Sequence, residues 1–382
     1  MLYIIPNYYE PNTAATNRFL ALISGISKCL NKDDICEVEL FLPNQKCDKI
    51  DIQYPNVVFN YRWCRKWYFR GRYSKYITHE IAIKAFVKKL KVGDCVLLLG
   101  HAELLPIIQK KKGVSTYFEM NEFPELFSFG NGLRKISNDN LIECCRKLDG
   151  LFVISTHLKD YFSQKGVSKE IIHLYRMTVD EGRFHNLEKL PQAIPYIAYC
   201  GTVSNFKDGV DILLNAFSLV KKQHKEPLKL YIIGRVPSET EKRKNLELIE
   251  QLGIKDDVVL TGSIQAEEMP QMLKNAEALV LARPDNIQAK YGFPTKLGEY
   301  LLTANPVVVT AVGDIPLYLK DGNNALVAAP NNPQAIADRI LWAIKNKNEA
   351  AIMGEKGRQT AMEFFNADIE AAHILKVITE EK

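Results

Sequence analysis

The sequence lacks several of the motifs that assign an enzyme class directly. It contains no H-E-x-x-H, no G-x-S-x-G and no glycine-rich loop with a Walker lysine, which argues against a zinc protease, a serine hydrolase and a P-loop enzyme. Its eight cysteines form no C-x-x-C pair, so we expect buried reduced thiols rather than disulfides. No apolar run is long enough to span a bilayer, and we expect no signal peptide. These absences predict a cytoplasmic protein.

The composition is that of an ordinary globular protein. Hydrophobic residues make up 47% of the chain and charged residues 25%. The length of 382 residues exceeds the size at which one hydrophobic core usually stops growing, which predicts two domains. The net charge of +5 is too small to indicate a nucleic-acid partner by itself.

Apolar segments alternate with helical patterns along the whole chain. Cys95–Leu99 and Val307–Thr310 are typical of buried parallel strands, and Ala14–Leu30 has the apolar spacing of a helix. This alternation predicts parallel βα units, and the pattern restarts near residue 195. We therefore expect an α/β protein with two Rossmann-like, doubly wound domains, over residues 1–185 and 186–366.

The stretch Tyr291–Thr310 combines a loop, a helix start and a buried strand. Lys296–Leu302 has the pattern of a short helix, and Lys296 lies in its first turn, where a cation is disfavoured unless a bound anion offsets it. Glu299, one turn later, can accept hydrogen bonds from a diol. The stretch indicates a nucleotide-sugar pocket, with a solvated helix as the alternative. The loop and the expected cap are Gly292, Phe293, Pro294 and Thr295.

A second loop of this kind follows the first strand of the second domain. Gly201 and Gly209 permit close backbone approach, and Lys207 between them is a mobile charge suited to a diphosphate. Lys207 and Lys296 at one sheet edge would neutralise a pyrophosphate leaving group. A plain tight turn is the alternative reading of each loop. Further strand-end loops that can line a nucleobase pocket are Gly234 with Arg235 and Thr261 to Ile264.

Polar residues also follow strands of the first domain. His101 ends one predicted strand, and Glu119 and Glu122 end the next, so the three can bind hydroxyls or move a proton. For His101 a structural hydrogen-bonding role is the alternative. Asn12 and Thr13 follow the first strand, where ligands of doubly wound domains bind.

A basic and aromatic segment, Tyr61–Tyr76, contains six Lys and Arg residues and no acid. Basic residues attract anionic headgroups while Trp and Tyr settle at the membrane interface, so the segment predicts peripheral contact with an anionic membrane or acceptor. An aromatic anchor with solvated arginines and a single-stranded nucleic-acid surface are the alternatives. The residues expected to take part are Arg62, Trp63, Arg65, Lys66 and Trp67.

Several spaced motifs in order resemble the GT-B glycosyltransferases of the large retaining family 4. The carriers are CGTVSNFKDGVDILLNAF, LKLYIIG, VVLTGSI, ALVLARP and GFPTKLGEYLLTANPVVVT. The resemblance covers nearly the whole chain and is strongest over Tyr196–Pro330. It implies two domains that face each other across a cleft, the first binding the acceptor and the second the donor, with a final helix over 367–382 crossing back to the first.

The resemblance also implies roles for individual residues. Lys207 would bind the donor diphosphate, Lys296 would lie near the phosphates, and Glu299 would bind the ribose hydroxyls. Thr202 stands where relatives often carry an arginine, so Lys296 or Arg235 supplies the second charge. Tyr291 stands where relatives often carry a glutamate that contacts the donor sugar. Asp285 or Gln288 would have to make this contact here. The chain also lacks a D-x-D motif, so we expect no metal and no other cofactor.

We expect a hexosyltransferase that uses a nucleotide diphosphate sugar and a glycan or lipid-linked acceptor, with retention of anomeric configuration. Its setting would be surface polysaccharide biosynthesis on the cytoplasmic face of the membrane, without a nucleic-acid partner. Two alternatives stay open: a nucleotide-sugar epimerase of GT-B fold, and a catalytically silent sugar-nucleotide or glycan-binding protein.

Overall fold

The computed structural model describes residues 1–6, 13–42, 50, 52–63, 74–127 and 135–380. The chain forms two compact units. Unit 1 contains residues 1–176 and 367–382, and unit 2 contains residues 177–366. The division lies earlier in the chain than the predicted boundary between residues 185 and 186, so the segment 177–185 is part of unit 2.

Unit 1 is built on a seven-stranded sheet whose described strand pairs are all parallel. The strands β1 and β4 are buried along their whole length, as expected for continuous apolar runs covered on both faces. The order across the sheet is β3-β2-β1-β4-β5-β6-β7. The strands are β1 (Leu2–Pro6), β2 (Cys36–Leu42), β3 (Val57–Trp63), β4 (Cys95–Leu99), β5 (Ser115–Met120), β6 (Gly150–Val153) and β7 (Ile172–Leu174).

The helices of unit 1 that precede unit 2 connect these strands. Ser137 and Ser155 cap two of them, each accepting a hydrogen bond from a backbone N–H three residues later. The helices are α1 (Ala14–Cys29), α2 (Ser74–Lys89), α3 (Leu105–Ile108), α4 (Asn138–Cys145) and α5 (Thr156–Gln164).

Unit 2 is built on a six-stranded parallel sheet with the order β10-β9-β8-β11-β12-β13. The first strand, β8, pairs with β9 on one side and with β11 on the other. The chain therefore changes direction across the sheet at β8 and β11, and the loops after these two strands diverge to leave a crevice at their carboxyl ends. The strands are β8 (Tyr196–Cys200), β9 (Lys229–Ile233), β10 (Val258–Gly262), β11 (Ala278–Leu281), β12 (Val307–Thr310) and β13 (Leu326–Ala328).

The helices of unit 2 include three short ones, α6, α10 and α11, that follow β8 and β11 and so lie at this edge of the sheet. The full set is α6 (Asn205–Asp208), α7 (Val210–Gln223), α8 (Glu239–Gln251), α9 (Met269–Asn275), α10 (Ile287–Tyr291), α11 (Lys296–Leu302), α12 (Ile315–Tyr318), α13 (Pro333–Lys345) and α14 (Lys347–Phe364).

The last helix, α15 (Ala367–Glu380), belongs to unit 1 and packs against α1. The two helices approach closely at Gly25, where a Cβ atom would lie 2.7 Å from the carbonyl oxygen of Ala367. The predicted α/β class with two parallel sheets is confirmed. No helix in the described ranges is both long and apolar enough to cross a lipid bilayer.

Candidate functional site

The loops at the carboxyl ends of β8, β9 and β11 meet through glycines. Gly201 and Gly234 have φ angles of 154° and 135°, and a Cβ atom on Gly234 would overlap the carbonyl oxygen of Gly201. Gly209 has a φ of 64°, and a Cβ there would overlap the carbonyl oxygen of Ala282. These positions need glycine because the backbones touch and because the conformation is strained for other residues. The loops therefore form one packed rim beside the crevice.

A buried carboxylate, Asp208, lies in this rim among positive charges. It accepts hydrogen bonds from the Lys296 ammonium and, at 2.8 Å, from the Tyr199 hydroxyl. The Arg283 Nε atom lies 3.9 Å from its other oxygen and donates to the carbonyl oxygen of Lys207 at 3.3 Å. We call Lys207, Asp208, Arg283 and Lys296 the rim cluster. It holds three cations and one anion.

Burial and the neighbouring charges shift the pKa values of two members of the rim cluster. Burial raises the pKa of Asp208, but the charges of Lys296 and Arg283 outweigh burial and bring that pKa below its usual value. Burial lowers the pKa of Lys296, and the charges of Lys207 and Arg283 lower it further despite the attraction of Asp208. Asp208 is therefore ionised at neutral pH, and the ammonium form of Lys296 is less favoured than in water.

The positions of Lys207 and Lys296 follow from local structure. Ser204 caps α6 by accepting a hydrogen bond from the Lys207 N–H at 3.2 Å. Asn286, at the start of α10, donates to the carbonyl oxygen of Phe206 at 2.7 Å and so ties the loop after β11 to α6. Lys296 begins α11, as predicted, and its Nζ atom lies 4.9 Å from the centre of the Tyr199 ring.

Glu299, one turn along α11, forms an ion pair with Arg183. The same guanidinium donates to the carbonyl oxygen of Ala266, in the loop after β10, at 3.2 Å. Burial raises the pKa of Glu299, and Arg183 counteracts this effect. Arg183 therefore links the residue predicted to bind ribose hydroxyls to a loop predicted to line the nucleobase pocket.

The remaining predicted donor residues occupy different environments. Thr202, Arg235 and Asp285 are exposed, whereas Gly234, Ile264 and Tyr291 are half-buried. Gly292, Phe293 and Pro294 are buried. The Phe293 ring packs on the rings of Tyr318 and Phe365, at centroid distances of 5.6 and 5.4 Å, and so supports the core under the loop.

The expectation that Thr295 caps α11 is wrong. Its φ and ψ angles of −59° and −33° are already helical, and its side chain makes no capping hydrogen bond. A capping side chain needs an extended backbone to reach the N–H groups of the first turn. The preceding Pro294 instead accepts the first hydrogen bond of this turn through its carbonyl oxygen, from the Leu297 N–H at 3.1 Å.

Asp208, Arg283 and Arg183 were not among the residues predicted from the sequence. Arg283 carried a usable signal, because it comes two residues after the buried strand β11, at the edge where ligands of such sheets bind. It is 2% exposed. Asp208 follows Lys207 directly, but its burial depends on Gly209 and the loop after β11.

In unit 1, the residues predicted to act on hydroxyls or protons have specific partners. Glu119 forms a buried ion pair with Arg18, whose guanidinium also lies 4.9 Å from the ring centre of Tyr175. The His101 Nδ1 atom lies 2.8 Å from Glu103 Oε1, and both residues are buried. Glu122 is half-buried. Glu119 thus has the partner that its burial requires.

Thr13 and Arg62, predicted to meet an acceptor or a membrane, also have partners within unit 1. Thr13 caps α1 through a hydrogen bond from the Thr16 N–H at 3.2 Å. The Arg62 guanidinium pairs with the fully buried Glu39 and lies 5.7 Å from the Phe86 ring centre, and its contact with an acceptor or a membrane stays a prediction. Outside the described residues lie Asn12, Arg65, Lys66, Trp67 and the side chain of Trp63. No group of three or more His, Cys, Asp and Glu side chains in the described part of the chain is arranged to hold a metal ion.

Residues 184–360 match the protein family described as glycosyl transferases group 1. An uncharacterized glycosyltransferase of Methanocaldococcus jannaschii, MJ1178, is 29% identical over 41% of this chain and 40% of its own length. The MMP alpha-(1->4)-mannosyltransferase of Mycolicibacterium hassiacum is 26% identical over 59% of this chain and 53% of its own. This chain therefore aligns with about half the length of these relatives, or less.

The fold is similar to that of HepE from Anabaena, a crystal structure in complex with UDP and glucose. The TM-score is 0.73 and the identity 14%, with 100% of both chains covered. The same protein has been solved in complex with UDP-glucose. The family match and the relatives above confirm the predicted resemblance to the glycosyltransferases, and the similarity to HepE shows the fold.

Proposed function

We propose, starting from the match of residues 184–360 to the group 1 glycosyltransferases, that this protein transfers a hexose from a nucleotide diphosphate sugar to a glycan or lipid-linked acceptor. Unit 2 would bind the donor at the carboxyl ends of β8 and β11, and unit 1 would bind the acceptor. The proposal extends to retention of anomeric configuration and to surface polysaccharide biosynthesis.

The observation that carries the proposal is the gathering of Lys207, Arg283 and Lys296 at the carboxyl ends of β8 and β11. Lys296 and Arg283 lie beside the Asp208 carboxylate, and Lys207 is close enough to contribute to the lowered pKa of Lys296, so a diphosphate bound here would meet several positive charges. A diphosphate carries charges of the right sign, and lysine and arginine are the side chains that bind phosphate oxygens in proteins. The glycines of the rim would let the ligand approach the backbone.

The rim cluster suits the chemistry of glycosyl transfer. The bond between the anomeric carbon and the donor phosphate oxygen breaks, and its electron pair leaves with the nucleoside diphosphate. A bond then forms from the acceptor oxygen to the anomeric carbon, and the acceptor proton passes to the leaving phosphate. Lys207, Arg283 and Lys296 would stabilise the negative charge that grows on the diphosphate, which lowers the barrier because the cations are already in place.

The first test is a thermal-shift screen of UDP, GDP, ADP and CMP against the wild type and Lys207→Ala. A nucleotide that binds only the folded protein raises the melting temperature by mass action. We expect one diphosphate to do so, and we expect Lys207→Ala to weaken its binding about tenfold or more, the usual value of a hydrogen bond to a charged group. Lys345→Ala, which removes an exposed lysine of α13, is the matched control and should bind like the wild type.

The second test measures turnover of labelled donor with and without candidate acceptors. A transferase needs the acceptor apart from slow hydrolysis, whereas an epimerase converts the donor alone and a binding protein leaves it unchanged. Proton NMR of the glycoside then tests retention through the anomeric coupling. Absence of any nucleotide shift in the first test would remove the main support for the proposal.

Contact with an anionic membrane remains part of the proposal for the segment after β3. Sedimentation with vesicles of anionic lipid would test it, with the wild type and a variant that carries Arg65→Ala, Lys66→Ala and Trp67→Ala. We expect the variant to sediment less than the wild type, because both the charge and the interfacial aromatic ring are removed. Equal sedimentation of the two would contradict this part of the proposal.

A further inference from the structure

Arg183 joins two parts of unit 2 that are distant in the sequence. Its Nη1 atom donates to Glu299 on α11, and its Nη2 atom donates to the carbonyl oxygen of Ala266 after β10. Its side chain is 18% exposed and that of Glu299 is 15% exposed, so the contact is largely shielded from water. One planar guanidinium therefore holds a carboxylate and a loop backbone at the same time.

The segment that carries Arg183 is fixed by contacts of Val179 and Asp180, which precede it in the chain. Gly298 of α11 has no side chain, and a Cβ atom there would overlap the side chain of Val179. The Val179 N–H donates to the carbonyl oxygen of Phe365 at 3.0 Å. Asp180 then caps the short 3-10 turn Glu181–Phe184 by accepting from the Gly182 N–H at 2.9 Å. Arg183 thus reaches Glu299 from a backbone that is itself anchored.

The charged surroundings of Glu299 make Arg183 its main counter-ion. Arg183 is the charge that most favours the ionised form of Glu299, ahead of Lys296 on the same helix, while Asp180 opposes ionisation. Cys200 at the end of β8 and Tyr300 on α11 also interact with Glu299, and burial raises the pKa of both, so neither supplies charge at neutral pH. Loss of Arg183 would therefore remove the strongest favourable charge beside a buried carboxylate.

We infer that Arg183 is a positioning residue for recognition of the donor nucleoside. It holds the Glu299 carboxylate ionised and oriented toward the ribose hydroxyls, and it holds the loop after β10 where the base is bound. The inference rests on the proposed function, since it assigns Arg183 a task within the same donor site. Arg183 itself need not touch the nucleotide.

The test compares nucleotides that differ by one ribose hydroxyl. Titration calorimetry with UDP and 2′-deoxy-UDP, GDP and 2′-deoxy-GDP, and ADP and 2′-deoxy-ADP gives the ribose preference of each protein as a ratio of affinities. We expect about a tenfold preference for ribose in the wild type, the value of one hydrogen bond to a carboxylate. In Arg183→Met the preference should fall to about twofold or less, because the carboxylate is no longer held ionised and in place.

Arg339 offers a matched control for the loss of an arginine bridge. It also pairs with a carboxylate, that of Asp321, and donates to a backbone carbonyl, that of Val327. Arg339→Met should keep the ribose preference of the wild type. Arg183→Lys retains the charge but cannot contact Glu299 and Ala266 at the same time, so it should give an intermediate ribose preference. This variant replaces Arg183→Met if the latter does not fold.

The pH profile separates positioning from a merely structural role. Burial raises the pKa of Glu299 and Arg183 counteracts it, so losing Arg183 should move the loss of ribose preference on acidification to a higher pH. The inference would be overturned if the wild type prefers ribose and the Arg183 variant shows the same preference and the same pH profile. The proposed function would then stay intact. A wild type that binds none of the six nucleotides would overturn the proposed function, and the inference with it.

Discussion

Each unit contains a cluster of buried charge, and the two clusters differ in their balance. In unit 1, Glu37 and Glu39 on β2 face Arg62 on β3 and Lys89 on α2, so two acids meet two bases. Lys89 bonds both carboxylates, and Asn60 donates to Glu37 at 2.6 Å. In unit 2, the rim cluster sets one acid against three bases. Counted over these named residues alone, the first cluster has equal numbers of acids and bases, and the second has two more bases than acids.

The difference indicates which buried charges serve stability and which serve a ligand. A balanced cluster satisfies its own members, as does the Arg18–Glu119 pair, and it needs nothing further. Cations that lie close together attract an anion, and shifted pKa values of this kind are concentrated where proteins bind substrates. On the proposed function the donor binds in unit 2, and the roles predicted for Glu119 and Arg62 stay predictions.

The largest expected effect follows from removing the single acid of the rim cluster. Asp208→Ala leaves Lys296 and Arg283 buried without their carboxylate, which should cost about 3–5 kcal/mol of unfolding free energy. Glu119→Ala in unit 1 likewise leaves Arg18 buried without its carboxylate, and it should lower the unfolding free energy by about as much. Urea unfolding followed by circular dichroism measures both.

Pyrophosphate distinguishes these two variants. It should restore much of the lost stability to Asp208→Ala, since an anion can take the place of the missing carboxylate, and it should restore none to Glu119→Ala. If pyrophosphate changed the unfolding free energy of both variants equally, the proposed difference between the two clusters would be contradicted.

Part of this arrangement could be predicted from local sequence. Cys95–Leu99, Val307–Thr310 and the helix Lys296–Leu302 have the same bounds in the sequence analysis and in the structure. Their boundaries are local properties, set by continuous apolar runs and by Pro294 and Asn305 near the ends of the helix. The placement of Lys207 and Lys296 at one sheet edge also follows from the order of strands and loops.

The balance of charge could not be predicted, because it depends on contacts between distant segments. Asp208 and Lys296 are 88 positions apart, and Arg183 and Glu299 are 116 apart. A sequence pattern shows that a charge follows a strand, but not which opposite charge the fold brings to it. For the same reason the sequence alone does not show that Arg18 pairs with Glu119 or that Arg62 pairs with Glu39.

The next largest effect concerns the glycines that bring the rim loops together. Gly234→Ala would place a Cβ atom onto the carbonyl oxygen of Gly201 in a strained backbone conformation, which should cost about 2–3 kcal/mol. Gly253→Ala is the matched control in the same unit, because its φ is also positive, at 66°, but no atom lies within 4 Å of the added Cβ. It should cost about 1 kcal/mol. If urea unfolding showed the same loss of unfolding free energy for both variants, the contact between the rim loops would contribute nothing to stability.

A smaller effect should appear in the pH dependence of nucleotide binding. The pKa of Lys296 is lowered in the free protein, and a bound diphosphate favours the ammonium form and raises that pKa again. Binding should therefore take up a proton at alkaline pH, and the affinity should fall as the pH rises through the lowered pKa, by up to about tenfold before pH 10. Titration calorimetry in buffers of different ionisation enthalpy measures the proton uptake.

The same lowered pKa also sets the stability of the free protein. An unfolded lysine keeps its proton up to about pH 10.4, so between the two pKa values the unfolded chain binds more protons, and the folded protein gains stability as the pH rises. Lys296→Arg should abolish both the proton uptake and this gain, because a guanidinium stays charged throughout the range. Proton uptake that persists in Lys296→Arg would assign the titration to another group.

The smallest effect is expected where an ion pair is exposed. Lys28 on α1 and Asp368 on α15 form a bidentate contact at 3.0 and 2.8 Å, yet their side chains are 63% and 47% exposed. Water screens such a pair, so its coupling energy in a double-mutant cycle of Lys28→Met and Asp368→Asn should stay within about 0.5 kcal/mol. This pair has good hydrogen-bonding geometry but is exposed, so the cycle separates burial from geometry as the origin of strong coupling. A coupling above about 1.5 kcal/mol would show that geometry alone makes an ion pair strong in this protein, and the contrast between the two buried clusters would then have to rest on net charge alone.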